Sequence, residues 1–109
     1  MITIKNLRRE KPTNPWDVKV DRSSILGNPF VMKGESQRDS VCELYEKEFM
    51  RKLSNTYTND KSDNGFSREL DRLCGLYKEY GKLNLFCWCA PKRCHAETIK
   101  KHIEDNVIL

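Results

Sequence analysis

The run Leu83-Asn84-Leu85-Phe86-Cys87-Trp88-Cys89, followed at once by Ala90-Pro91-Lys92-Arg93-Cys94-His95, decides how this chain folds. Apart from Asn84 the run is apolar on both faces, and it is short and aromatic. That is the pattern of a central, buried strand over 83–89. Side chains two apart in a strand share a face, so Cys87 and Cys89 point one way and Phe86 and Trp88 the other. Pro91 ends the pairing. Cys94 is expected at the N-cap of a last helix that turns Ile99 and Ile103 inward. Ligands settle at the carboxyl ends of strands in open α/β sheets, and this strand-to-helix turn occupies that place.

Upstream of the strand the spacing changes to helical. Val41, Leu44, Tyr45, Phe49 and Leu53 recur at three and four residues, predicting an amphipathic helix over 37–53. Ser36-Gln37-Arg38-Asp39 before it resembles a capping box. Residues 54–65 are polar and read as an exposed loop. Ser67 is expected to cap a second helix carrying Leu70, Leu73, Cys74, Tyr77 and Tyr80, with Gly81 ending it. Nearer the start, Ile2 and Ile4 alternate with polar residues, as do Val18 and Val20 within 16–22, predicting two strands. Residues 23–34 read as an irregular loop. The order is β-β-α-α-β-α, with room for one more short strand. The fold class is α/β: a small, layered, Rossmann-like domain with a short, partly parallel sheet and about three helices.

Composition bounds the rest. A length of 109 residues suits one domain spanning 1–109. No apolar run is long enough to span a bilayer. The opening Met1-Ile2-Thr3-Ile4-Lys5-Asn6 lacks the charge and hydrophobicity of a signal peptide, so a cytoplasmic location is expected. The net charge of +4 and a pI near 8.8 favour phosphates without marking a nucleic-acid domain. A nucleic-acid reading would use Arg8, Arg9, Lys11 and Trp16 and is not favoured, because the basic residues are interspersed with sixteen acids.

Five cysteines, an odd number, argue against a disulfide framework. Cys42 and Cys74 lie on helical patterns and read as small core residues. Cys87, Cys89 and Cys94 cluster beside His95 and leave three readings open. Three thiols and an imidazole make a possible zinc set, Cys87, Cys89, Cys94 and His95, although C-x-C-x4-C-H is not a standard knuckle. Alternatively, Cys94 or His95 at a helix N-terminus faces a metal-free pocket, where the position favours an acidic thiol. In the third reading the group is ordinary packing. His102, two turns further on, reads as solvated.

The loop Asp21-Arg22-Ser23-Ser24-Ile25-Leu26-Gly27-Asn28-Pro29-Phe30 also carries chemistry. Gly27 allows a close backbone approach or a left-handed conformation, Asn28 can bond a base or sugar, and Arg22 offers a forked donor for phosphate. A turn that plugs the core with Phe30 is the equally simple alternative.

Together the Gly-Asn-Pro-Phe loop and the Cys-Trp-Cys-x-Pro-x-x-Cys-His segment resemble domain-of-unknown-function family 4326, of bacteria, phages and some other organisms. Arg8, Arg22, Gly27, Asn28, Pro29, Phe30, Arg38, Tyr45, Cys87, Trp88, Cys89, Pro91, Cys94 and His95 fall on the family pattern. Asp21 departs from it, standing where the family has glycine. The resemblance implies a site without naming a reaction. The leading expectation is a domain that binds or processes a nucleotide-like or ribosyl small molecule. In it Arg8, Arg22 and Arg38 meet phosphate, Gly27 and Asn28 shape the pocket, and His95, Cys94 or Asp21 serves as acid, base or nucleophile. The alternative is a zinc-stabilised interaction protein, phage-encoded and acting on a partner in the host cytoplasm.

Overall fold

A computed structural model describes residues 1–30, 32–58, 65–90 and 92–107, and of 54–58 the backbone only. The expected loop over 54–65 therefore lies partly outside the described residues, and so do Val31 and Pro91. Three strands form the sheet: β1 Ile2–Asn6, β2 Asp17–Lys19 and β3 Leu83–Cys87. Their order is β1-β3-β2, so the apolar strand is central as its composition predicts. Both outer strands run parallel to it. The sheet is thus wholly parallel among the described residues, where the sequence indicated only a partly parallel one.

Register divides the sheet into two faces. Ile2 pairs with Leu83, Ile4 with Leu85 and Val18 with Leu85, which puts these residues and Cys87 on one side. Helices α1 (Arg38–Thr58), α2 (Phe66–Tyr80) and α3 (Ala96–Asn106) close over that side. Tyr45 and Phe49 of α1, Leu70, Leu73 and Tyr77 of α2, and Ile99 and Ile103 of α3 join the strand residues in one buried cluster. Each fully buried Leu or Ile contributes about 1.5–3 kcal/mol. The opposite face carries Thr3, Lys5, Asn84 and Lys19, with Phe86 its buried apolar member.

Several boundaries differ from the sequence reading. The strand ends at Cys87, so Trp88 and Cys89 belong to the bend that follows. The second strand keeps only three residues, because the chain turns at Asp21. A 3-10 turn over Glu35–Gln37 leads into α1 without a side-chain cap, and α1 runs on to Thr58. Gly65, not Ser67, is the N-cap of α2. Gly81 ends α2 at φ 70°, the left-handed conformation expected of a C-terminal glycine. α3 starts at Ala96, one residue later than a Cys94 cap implies, with His95 as the N-cap. Cys94 still makes half of a capping box, since the Glu97 carboxylate accepts its N–H at 3.0 Å. No helix among the described residues is long and apolar enough to cross a membrane.

Candidate functional site

The carboxyl end of β3 is anchored to the residues that end β1. Leu7 donates its N–H to the Cys87 carbonyl, and the Asn6 amide donates to the carbonyls of Trp88 and Ala90, at 3.3 and 2.7 Å. These bonds tie the bend at 88–90 to the end of β1. Across from it runs the loop that leaves β2. Tyr45 donates its hydroxyl to the Leu26 carbonyl at 2.7 Å, and burial pushes its own pKa up. Asn28 accepts the Phe30 N–H at 2.9 Å and donates to the Val41 carbonyl of α1 at 3.4 Å. Between loop and bend lies a cavity of about 340 Å³, within the range of small-molecule sites.

Its walls come from both motifs. Asp21, Arg22, Asn28 and Phe30 line one side, Cys87, Trp88, Cys89, Cys94 and His95 the other, and Arg38 and Arg93 stand with them. Of the residues expected to bind or act on a ligand, Arg8 and Gly27 do not line this cavity. Arg8 is exposed on the turn after β1, where its N–H donates to the Asn6 side chain. Gly27 serves the backbone instead: a Cβ there would meet the Asp21 carbonyl oxygen at 2.3 Å. Its φ is not left-handed, so close approach is the reason for glycine at this position.

Asp21 is nearly buried, at 8% exposure. One carboxylate oxygen accepts the hydroxyl and N–H of Ser23, and the other accepts the Trp88 indole N–H at 3.0 Å. Burial raises its pKa, but the bonds from Ser23 and Trp88 and the charge of Lys19 outweigh that and leave it below the usual value. It stays ionised and pins the edge of Trp88, a residue that remains 51% exposed. This arrangement fits a positioning residue better than the general base considered for it.

His95 is buried against Tyr45, ring centroids 5.0 Å apart. Its Nε2 bonds the Val20 carbonyl. A carbonyl only accepts, so Nε2 carries the proton and Nδ1 keeps the lone pair. Burial lowers the pKa of the ring and the Val20 carbonyl partly offsets this, so the imidazole is held neutral.

The thiols are arranged differently from the expectation. The sulfurs of Cys87 and Cys94 stand 3.1 Å apart. A hydrogen bond from Cys94, joined by the N–H groups of Cys89 and Ala90, pulls the Cys87 pKa down against its burial. The same bond, together with burial, pushes Cys94 up. The acidic thiol is thus Cys87, not Cys94 as helix position alone suggested. In Cys42 and Cys74 burial raises the thiol pKa. His102 is half-buried with its ring 5.4 Å from Phe49, not simply solvated.

The zinc set does not assemble. No group of three His, Cys, Asp or Glu among the described residues is placed to hold a metal ion. His95 turns Nε2 to a carbonyl, and the Cys89 thiol lies within hydrogen-bonding reach of the Arg38 guanidinium rather than joining the other two sulfurs.

Arg38 is engaged on two sides. It grips both oxygens of Glu35 and donates to the Arg93 carbonyl at 3.0 Å. Hydrogen bonds from Arg38 and Lys92 take Glu35 down to about 2. Arg93 bonds the exposed Asp39 at 2.9 Å. Arg22 makes one long bond, 3.4 Å, to the Phe30 carbonyl.

Sequence reasoning quoted Trp88 but placed it on the far face of a strand. The structure makes it a wall of the cavity. Met32 and Val41 also line it, and no pattern in the sequence distinguishes them from ordinary apolar residues.

A family model described as Domain of unknown function (DUF4326) matches residues 5–105. An uncharacterised 12.4 kDa protein from the nrdA-td intergenic region of Enterobacteria phage T4 is 30% identical over 97 residues, covering 89% of this chain and 75% of the phage protein. No solved structure matches the chain. The matched range holds both walls of the cavity and nearly all of the sheet, and the chain belongs to the family Domain of unknown function (DUF4326).

Proposed function

We propose that the cavity between the Gly-Asn-Pro-Phe loop and the Cys–His turn binds a small nucleoside-like molecule carrying a phosphate. The observation that supports this most is Trp88. Its edge is fixed by Asp21 while half of its surface stays open beside three arginines. A pinned aromatic face is a stacking platform for a base, worth roughly 1–3 kcal/mol. Arg22, with most of its donors uncommitted, meets the phosphate. Arg93 and Arg38 add positive potential at the same mouth. Asn28 spends its amide on the loop and shapes the wall. The neutral His95 lines this wall and keeps the lone pair of Nδ1, which in this reading accepts a hydrogen bond from a ligand hydroxyl or N–H.

Calorimetric titration with adenosine monophosphate, uridine monophosphate, adenosine and inorganic phosphate tests the reading. A nucleoside monophosphate is expected to bind more tightly than either of its parts. Trp88→Ala should weaken it roughly tenfold, in line with a lost stacking partner, and Arg22→Ala should weaken the phosphate-bearing probes more than adenosine. Absence of binding by all four probes, or binding indifferent to both substitutions, would overturn it.

A further inference from the structure

Ligand binding makes no demand on the two sulfurs at the back of the cavity, yet they are brought together there from different elements. Cys87 ends β3 and Cys94 precedes α3, and their sulfurs lie 3.1 Å apart. Both are buried and both line the cavity. We propose that Cys87 and Cys94 form a redox-active dithiol, closed to an intramolecular disulfide by a small peroxide entering through this cavity.

The sulfurs lie within hydrogen-bonding distance of each other. The bend that begins right after Cys87 turns the N–H groups of Cys89 and Ala90 towards its sulfur, which favours negative charge there, so Cys87 takes the attacking role in the proposal. It attacks one peroxide oxygen. The O–O bond breaks, the departing oxygen takes up a proton and leaves as an alcohol or as water, and Cys87 becomes a sulfenic acid. The Cys94 sulfur then attacks the Cys87 sulfur. The S–O bond breaks, and hydroxide leaves as water with the proton released by Cys94. Two thiols and one peroxide give one disulfide, one water and one alcohol or second water. A disulfide needs the sulfurs at about 2.05 Å, so each moves by roughly half an ångström. The burial of both thiols favours a small peroxide over a bulky disulfide as oxidant.

The inference does not depend on a nucleoside ligand, because hydrogen peroxide alone is the probe. The full chain, reduced and metal-free at neutral pH, is given one equivalent of hydrogen peroxide. Remaining thiols are capped with N-ethylmaleimide, and unreduced tryptic peptides are mapped by mass spectrometry. Cleavage after Lys92 or Arg93 separates Cys94 from the peptide that holds Cys87 and Cys89, and fragmentation of the linked peptide reads which of those two carries the link and which carries the cap. The expected product is a single cross-link, Cys87 to Cys94, with Cys42 and Cys74 capped. Cys94→Ser should stop at a sulfenic acid on Cys87, trapped by dimedone. Cys87→Ser should oxidise roughly tenfold more slowly. Wild-type mapping decides alone if either variant fails to fold. A main cross-link through Cys89, Cys42 or a second chain, a sulfenic acid elsewhere than Cys87, or slow and equal oxidation of all five thiols would overturn the proposal.

Discussion

Two tryptophans stand at opposite ends of the parallel sheet, and they are treated in opposite ways. Trp16 precedes β2 at the amino end, where the Lys82 ammonium sits 4.0 Å from its ring centroid and Tyr80 tilts against it at 5.5 Å. Its faces are occupied and it is half-buried. Trp88 follows β3 at the carboxyl end, its side chain pinned at the edge by the indole N–H, with its ring facing the cavity and solvent. The amino end is closed by self-contact: the chain's first ammonium bonds the Gly81 carbonyl, and Asn84 bonds Asp17. The carboxyl end gathers an ionised carboxylate, a neutral imidazole and paired thiols around open space. In a parallel sheet the loops leaving every strand converge at one end, and the residues with unspent chemistry converge there too.

The two ends also use glycine differently, which gives the largest expected effect. Gly27→Ala drives a Cβ against the backbone of Asp21 and Arg22, atoms that cannot swing aside. It should cost about 3 kcal/mol in urea unfolding, the upper range for overpacking. Gly81→Ala has open space around it and meets only its positive φ, so about 1 kcal/mol is expected. Equal costs would mean that the loop at the carboxyl end is softer than its packing implies.

The tryptophans themselves come next. Trp16→Ala removes a ring packed on both neighbours and should lower stability by about 2 kcal/mol, with little effect on nucleoside monophosphate binding. Trp88→Ala should do the reverse, with less than about 1 kcal/mol of stability lost and the larger change in affinity. Thermal unfolding beside calorimetric titration of both variants reads the crossover. Parallel losses in both measurements would erase the functional difference between the ends.

Acid sharpens the contrast. His95 titrates below its ordinary value of 6.5 in the folded chain because burial disfavours its cation. The unfolded chain therefore binds the proton more readily, and stability falls as pH drops below 6.5 towards the folded pKa, by no more than about 1.4 kcal/mol per pH unit. His95→Gln keeps a donor for Val20 and should flatten this loss. His102, also lowered by burial, contributes separately and is subtracted with His102→Asn. At the amino end Asp17 is held below 3.8: burial opposes this, but bonds from Thr13, Asn14 and Asn84 prevail. Its stabilisation is complete above pH 3.8 and lost only as pH falls further. Asp21 behaves in the same way. Urea midpoints from pH 7 to 3 should then show the His95 step before the carboxylate step.

Much of the fold was legible because it depends on periodicity. The central strand followed from an apolar run, and α2 from Leu70, Leu73 and Tyr77 with Gly81 behind them. The continuation of α1 to Thr58 was not legible, since Ser54, Asn55 and Thr56 are polar residues that suit a loop as well as a helix. The convergence of the Gly-Asn-Pro-Phe loop with the Cys–His turn was anticipated from their places after strands, and Asn28 and His95 do line one cavity. Which thiol is acidic was beyond the sequence. It turns on a 3.1 Å contact and two N–H groups around Cys87, set by where the strand stops. The role of Trp88 was hidden for the same reason: ending β3 two residues early rotates it from a sheet face to a cavity wall.

The smallest expected effect tests whether the positive mouth of the cavity is restrained. Glu35, exposed at the surface, binds the half-buried Arg38 through two oxygens and the exposed Lys92 at 3.2 Å. Exposed pairs of this kind add little to stability, so Glu35→Gln should leave the unfolding midpoint unchanged. Its consequence lies in the cavity. Without the carboxylate, Arg38 keeps its bond to the Arg93 carbonyl but has donors free to face a phosphate. Affinity for a nucleoside monophosphate should rise by roughly twofold to fivefold, and the gain should shrink as salt is added, because it is electrostatic and near solvent. Adenosine, lacking the phosphate, should show no gain. A loss of affinity on Glu35→Gln would instead mean that Glu35 holds Arg38 in its working orientation, which would move the phosphate contact to Arg22 alone.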